Sequence, residues 1–220
     1  MRITFVISTP SHPINSTVQA WIEMSGELHS CEIVHDPDQC GGGDLCFLIS
    51  CSSLVDKAVL SKYRNVLVIH ASDLPIGRGW SPHVHSLIQG HNELCVSLLE
   101  AAPGVDSGDI WTKVRTPILP HYLLSDVLKI LSKVHLQLID YAVQNFNRVR
   151  PRPQSKDIEP TYLPRRQPED SELDINSSLA DQFHLIRACD NERFPAFFKI
   201  YGKKFILKIE RIDNEEEPEH

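Results

Sequence analysis

The chain has six cysteines but no C-x-x-C pair, and Cys31, Cys40, Cys46, Cys51, Cys95 and Cys189 show no zinc spacing. That removes redox-motif and zinc-finger readings. Several of these thiols sit in apolar runs, where they act as small hydrophobes, so a reduced, cytoplasmic protein is expected. Nowhere do eighteen apolar residues follow one another, and the opening MRITFVIS is too short a run for a secretory leader. No membrane partner is expected. Basic excess is also lacking: 22 Lys and Arg stand against 29 Asp and Glu, a formal net charge of -7. Affinity for nucleic acid rests largely on basic surface, so a polyanion is not the expected partner. Gly41-Gly42-Gly43 precedes an apolar strand and lacks a following Gly-Lys-Ser/Thr, which argues against a phosphate loop and an ATP site. His83 and His85 are two apart and cannot share a helix face, so no metal is expected there.

What the 220 residues do contain is a succession of short apolar runs alternating with helical patterns. Segments 2–8, 31–35, 45–50, 66–70, 94–100 and 109–115 read as strands. Helices are expected from about Asn15, with Asn15 or Ser16 as cap, and over 81–90, where Ser-Pro begins the turn. From 123 to 146 the residues Leu124, Val127, Leu128, Leu131, Val134, Leu138, Ala142 and Phe146 recur at helical spacing. The pattern predicts an α/β fold with a Rossmann-like parallel sheet over 1–147. The proline- and charge-rich 148–163 reads as a linker, 164–213 as a small α+β carboxy-terminal region, and 214–220 as an acidic solvated tail.

Chemistry concentrates between Asn65 and Ile110. VLVI (66–69) reads as a buried strand that delivers His70 to its carboxyl end, where open α/β sheets bind ligands. A core histidine is the plain alternative. Gly77-Arg78-Gly79 then adds a flexible loop with one strong anion-binding group, and Asp106 lies in a second glycine-flanked loop, Gly104 to Asp109. For Arg78 the alternative is an exposed surface arginine. Trp80 reads as capping the core, with stacking on a base or sugar as its other reading.

HASDLPIGRGWSP followed by Val-Asp-Ser-Gly-Asp-Ile resembles the signature of the formyltetrahydrofolate-dependent formyltransferases, in particular the short members acting on nucleotide-linked amino sugars. The resemblance implies an enzyme that takes a formyl group from N10-formyltetrahydrofolate and transfers it to a sugar amine. His70 and Asp106 would be catalytic, with His70 donating to the oxyanion while Asp106 keeps it charged or moves the amine proton. Ser50, Cys51 and Ser52 after the third strand, with Pro103, Gly104 and Val105, would border the folate; a simple polar loop is the other reading of 50–52. Arg78, Gly79 and Trp80 would meet the sugar nucleotide, and Asn15 would lie near the nucleotide unless it serves only the helix start. One departure stands out: the family pattern is Asn-x-His, and Val68 occupies the Asn position. Ser72, Asn92 or water would have to supply that donor.

RRQPEDSELDINSS, LIRACD and FPAFFKIYGKKFILKIE resemble the start of the same family's carboxy-terminal region, with a hairpin turned at Tyr201-Gly202-Lys203. Two strands there, where an OB barrel uses five, imply that the tRNA-binding module is missing. The resemblance also implies a homodimer through this region. Methionyl-tRNA or glycinamide ribonucleotide as acceptor, and a non-catalytic folate-binding relative suggested by Val68, are the alternatives.

Overall fold

The computed structural model describes residues 1–53 and 55–212; the acidic stretch from 214 onward lies outside the described residues. The strands β1 (Arg2–Val6), β2 (Ser30–Val34), β3 (Gly43–Leu48), β4 (Tyr63–His70), β6 (Glu93–Glu100) and β7 (Ile110–Pro117) form one sheet in the order β2-β1-β3-β4-β6-β7. β1, β2, β3 and β4 pair in parallel, whereas β6 pairs antiparallel with both β4 and β7. The sheet is thus mostly parallel, with β6 reversed. After His70 the chain makes a loop and a seven-residue helix α3 (Pro82–Ile88), then re-enters the sheet from the end at which β4 left it.

Alternation along β4 assigns its two faces. Leu67 and Ile69 join the main core with Phe5, Phe47 and Trp21, whereas Val66 and Val68 pack with a smaller cluster containing Cys46, Leu48, Val59 and Tyr63. Helices α1 (Ile14–Ser25), α3 and α4 (Leu124–Asn145) cover the first face. On α4 the expected stripe is buried at Leu124, Val127, Leu131, Val134, Leu138 and Ala142, with Ile139 added and Leu128 and Phe146 at the margin. Each buried Leu, Val or Ile of this stripe contributes about 1.5–3 kcal/mol. Phe5 and Phe47 stack at 5.3 Å, and Trp21 Nε1 donates to Asp140 of α4 at 2.7 Å, locking the helix layer to itself. The second face carries the short helix α2 (Lys57–Leu60) and the loops that form the site.

The carboxy-terminal region comprises α5 (Phe183–Arg187) and the hairpin β9 (Ala196–Ile200) and β10 (Lys203–Leu207). Tyr201 and Gly202 turn it with φ of 52° and 70°, the left-handed pair that a two-residue hairpin requires. Arg187 is 1% exposed and donates to the carbonyls of Leu119, Pro120 and Leu87, fastening this region to the ends of β7 and α3.

The stretch 148–163 joins the two parts and is itself pinned down. Arg152 exchanges backbone hydrogen bonds with Ile110, and β8 (Tyr162–Leu163) pairs in parallel with β5 (Arg78–Gly79) in the loop after His70.

Candidate active site

His70 ends β4 and is 7% exposed, because the loop that follows folds back over it. Its Nε2 donates to the carbonyl of Gly77 at 2.8 Å. Its Nδ1 faces Asp106 Oδ2 at 3.5 Å, an ion-pair separation too long for a strong direct hydrogen bond. The same Oδ2 accepts from the backbone N–H of Gly79 at 2.8 Å. One ring nitrogen is thus committed to a carbonyl, which requires a proton on Nε2, and the other faces a carboxylate. Nδ1 is the pole left to serve a substrate.

Two glycines make the closure feasible. Gly79 has φ of +100°, and a Cβ there would lie 2.7 Å from the carbonyl oxygen of Leu163. A Cβ on Gly108 would lie 1.8 Å from the carbonyl oxygen of Glu100, so only glycine lets the Asp106 loop run back along β6. Asp106 itself has φ of +45°, a region that Asp tolerates better than most side chains.

The loop after His70 is also held from the sheet. Ser97 Oγ donates to the carbonyl of Ser72 at 2.7 Å, and Lys113 Nζ donates to Asp73 Oδ1 at 2.6 Å and to the carbonyl of Leu74 at 2.7 Å. Arg115 pairs with Asp73 as well. Burial pushes the Asp73 carboxyl up, but Lys113 and Arg115 outweigh it and hold it below the usual carboxylate range. Ser72 Oγ is buried with no hydrogen-bond partner among the described residues, and a Cβ built on Gly77 would lie 3.5 Å from it. A buried hydroxyl without a partner is uncommon and fits a site completed by a ligand.

Val68 shares the His70 face two residues earlier and packs in the smaller apolar cluster, so no polar side chain occupies that position. Around this centre, Ser50 is exposed with φ of 52°, Ser52 N donates to Ser8 Oγ at 3.0 Å, and Cys51 packs against the same cluster as Val68. Pro103, Gly104 and Val105 are exposed at the tip of the Asp106 loop, where Ser107 Oγ donates to the Gly104 carbonyl. Asn15 is not the helix cap. Pro13 holds that position, while Asn15 Nδ2 donates to the carbonyls of Thr9, Pro10 and His12 and so organises the first loop. Nor does Trp80 cap the core: it is 40% exposed, with the Arg165 guanidinium over its ring at 5.0 Å.

Sequence reading missed the contribution of the 148–163 stretch, whose proline and charge content masks its contacts. Thr161 Oγ1 accepts from Gly77 N, and Arg78 donates to Gln154 Oε1 and to the Tyr162 hydroxyl. Gln154 Nε2 donates to the carbonyls of Asp106 at 2.7 Å and Gly108 at 2.9 Å. Among the described residues no carboxylate pairs with Arg78, and its side-chain hydrogen bonds go to the neutral Gln154 and Tyr162. A depression of about 340 Å³ bounded by Met1, Asp44, Arg64 and Phe146 lies at the opposite ends of the strands and does not touch this centre.

The profile of the formyl transferase family matches residues 25–141, just over half of the chain, and spans both His70 and Asp106. The chain belongs to the formyl transferase family. The family takes its formyl group from N10-formyltetrahydrofolate. Among curated formyltransferases, the methionyl-tRNA formyltransferase of Protochlamydia amoebophila is 27% identical over 76% of this chain and 54% of its own length. That of Streptococcus gordonii is 26% identical over 80% and 57%. The chain thus spans a little over half the length of these curated relatives. Several solved structures share the fold. A methionyl-tRNA formyltransferase from Clostridium thermocellum superposes with a TM-score of 0.82 at 21% identity, covering 97% of this chain and 94% of its own. HypX from Aquifex aeolicus in complex with tetrahydrofolic acid gives 0.79 at 21%, over 94% and 37%. A sugar N-formyltransferase from Shewanella gives 0.73 at 15%, over 97% and 99%.

Proposed function

We propose that this protein transfers the formyl group of N10-formyltetrahydrofolate to the amino group of a nucleotide-linked amino sugar. The observation that carries the acceptor class is Arg78. On the loop that closes over His70 it holds a cation with no carboxylate partner among the described residues, lying over the Tyr162 ring at 5.8 Å and two residues before the exposed Trp80. Forked guanidinium contacts suit a pyrophosphate, and exposed rings suit a base or sugar.

Attack of an amine on a formyl carbon gives the carbonyl oxygen a negative charge and the nitrogen a proton to lose. In this reading His70, held as imidazolium by Gly77 and Asp106, presents Nδ1–H to the developing oxyanion, and Ser72 Oγ supplies the donor that Val68 lacks. Asp106 accepts the amine proton as the new C–N bond forms. The bond from the formyl carbon to the donor nitrogen then breaks, that nitrogen takes up a proton, and a formamide and tetrahydrofolate leave. Ser50, Cys51 and Ser52 with Pro103, Gly104 and Val105 would border the pterin, offering backbone groups to a neutral hydrogen-bonding ring. Asn15 would hold the first loop beside the nucleotide. The absence of disulfides among the six cysteines suits the cytoplasm.

A second acceptor, methionyl-tRNA, is favoured by the names of the curated relatives. The net charge of -7 weighs against it. Incubation with N10-formyltetrahydrofolate and either a panel of nucleotide-linked amino sugars or charged methionyl-tRNA, with mass detection of an added formyl group, separates the two. Formylation of a sugar nucleotide alone is expected; formylation of tRNA alone would overturn the acceptor assignment.

A further inference from the structure

We infer that Gln154, outside the segment that matches the family, is a positioning residue that holds Asp106 in its working place. Its carboxamide sits at the junction of the two loops that build the centre. The NH₂ group donates to the carbonyls of Asp106 and Gly108, and the oxygen accepts from Arg78 Nη2 at 2.8 Å. The orientation is fixed by chemistry: a reversed amide would set its oxygen against two carbonyls and its NH₂ against a guanidinium.

Asp106 needs such a hold. Its φ of +45° is sparsely populated, and such conformations persist where surrounding contacts over-determine them. Here the carboxylate is fixed by Gly79 N–H and the carbonyl by Gln154, so the residue is gripped at both ends. Gln154 itself is placed by the pairing of Arg152 with Ile110 upstream and of β8 with β5 downstream. Without it, Asp106 Oδ2 loses the support that keeps it 3.5 Å from His70 Nδ1. The same amide orients Arg78, so one side chain sets the spacing between the reacting centre and the anion-binding group.

The inference rests on the formyl-transfer reading, but one arm of its test does not. In the full-length protein, Gln154→Ala and Gln154→Glu are compared with the parent by hydrogen–deuterium exchange and by kinetics. Exchange should rise in residues 104–109 and 77–79 while that of 124–145 stays unchanged. In turnover, kcat should fall about tenfold or more with KM for the formyl donor within about threefold, since small misplacements near the chemistry cost up to about 10²-fold. Gln154→Glu, which keeps the acceptor for Arg78 but loses the donors to Asp106, should fall at least as far. In an Asp106→Asn background, Gln154→Ala should cost little more, because groups acting through one another are not additive. Unchanged exchange at 104–109, equal loss in the two backgrounds, or faster exchange spread through 124–145 would each overturn the positioning role. If the parent formylates no acceptor, the functional reading fails while the exchange arm still decides where Gln154 acts.

Discussion

The imidazole of His70 faces the carboxylate of Asp106 across 3.5 Å, while its far nitrogen is bound to the Gly77 carbonyl at 2.8 Å. The pair is therefore one unit with a single free pole. Asp106→Ala should lose most turnover in the parent but little in a His70→Ala background. Steady-state rates of the two single variants and the double variant check this; losses that multiply independently would separate the two residues.

Val68 shares the His70 face but packs in the apolar cluster with Val66, Cys46 and Leu48. Val68→Asn should not raise turnover, and it should lower stability by about 1–3 kcal/mol, the cost of placing an amide there without a compensating partner. Urea unfolding beside a turnover assay tests both halves. A faster enzyme would mean that the oxyanion lacks a donor in the parent.

Gly108→Ala tests the close return of the Asp106 loop. With a carbonyl oxygen 1.8 Å from the new Cβ, the backbone must move, so a loss of more than about 1 kcal/mol is expected, with loss of turnover. Thermal melting and a rate measurement suffice. A variant indistinguishable from the parent would refute the described loop path.

The histidines around α3 and α4 set a pH dependence of stability. Burial holds His83 down at about 3, with the neighbouring charges of His135, His12, His70 and His85 acting the same way. Burial also holds His135 at about 4, against the raising effect of its bond to the Leu131 carbonyl, and His12 is lowered by burial and then by Arg193. Their folded values lie below the unfolded 6.5, so the unfolded chain binds more protons between about 3 and 6.5. This contribution to stability is full above pH 6.5 and is lost as pH falls through that window. Tm should decline from pH 6.5 toward 4, and less steeply in His135→Gln; a flat profile would contradict the burial.

Much of this was legible in sequence because period and turn chemistry are local. VLVI placed the strand and His70 at its end, and the α4 stripe recurs at helical spacing, while the hairpin at Tyr201-Gly202 was implied by the family resemblance. The reversal of β6 was not legible, since the end from which a strand enters the sheet is set by its tertiary pairing with β4 and β7 and not by its local pattern. Nor was the closure over His70: Gly77 acts through a carbonyl, which carries no side-chain signal, and Gln154 acts from a segment whose prolines and charges look like a free connection. Trp80 misled because an aromatic residue beside a site reads as core, whereas this one is 40% exposed.

The most direct test of the account is turnover of His70→Ala beside its affinity for 5-formyltetrahydrofolate. Formyl transfer should fall about 10²–10³-fold, the range for losing an oxyanion donor, with folate affinity within about threefold of the parent. Near-normal turnover with normal folate affinity would contradict the account.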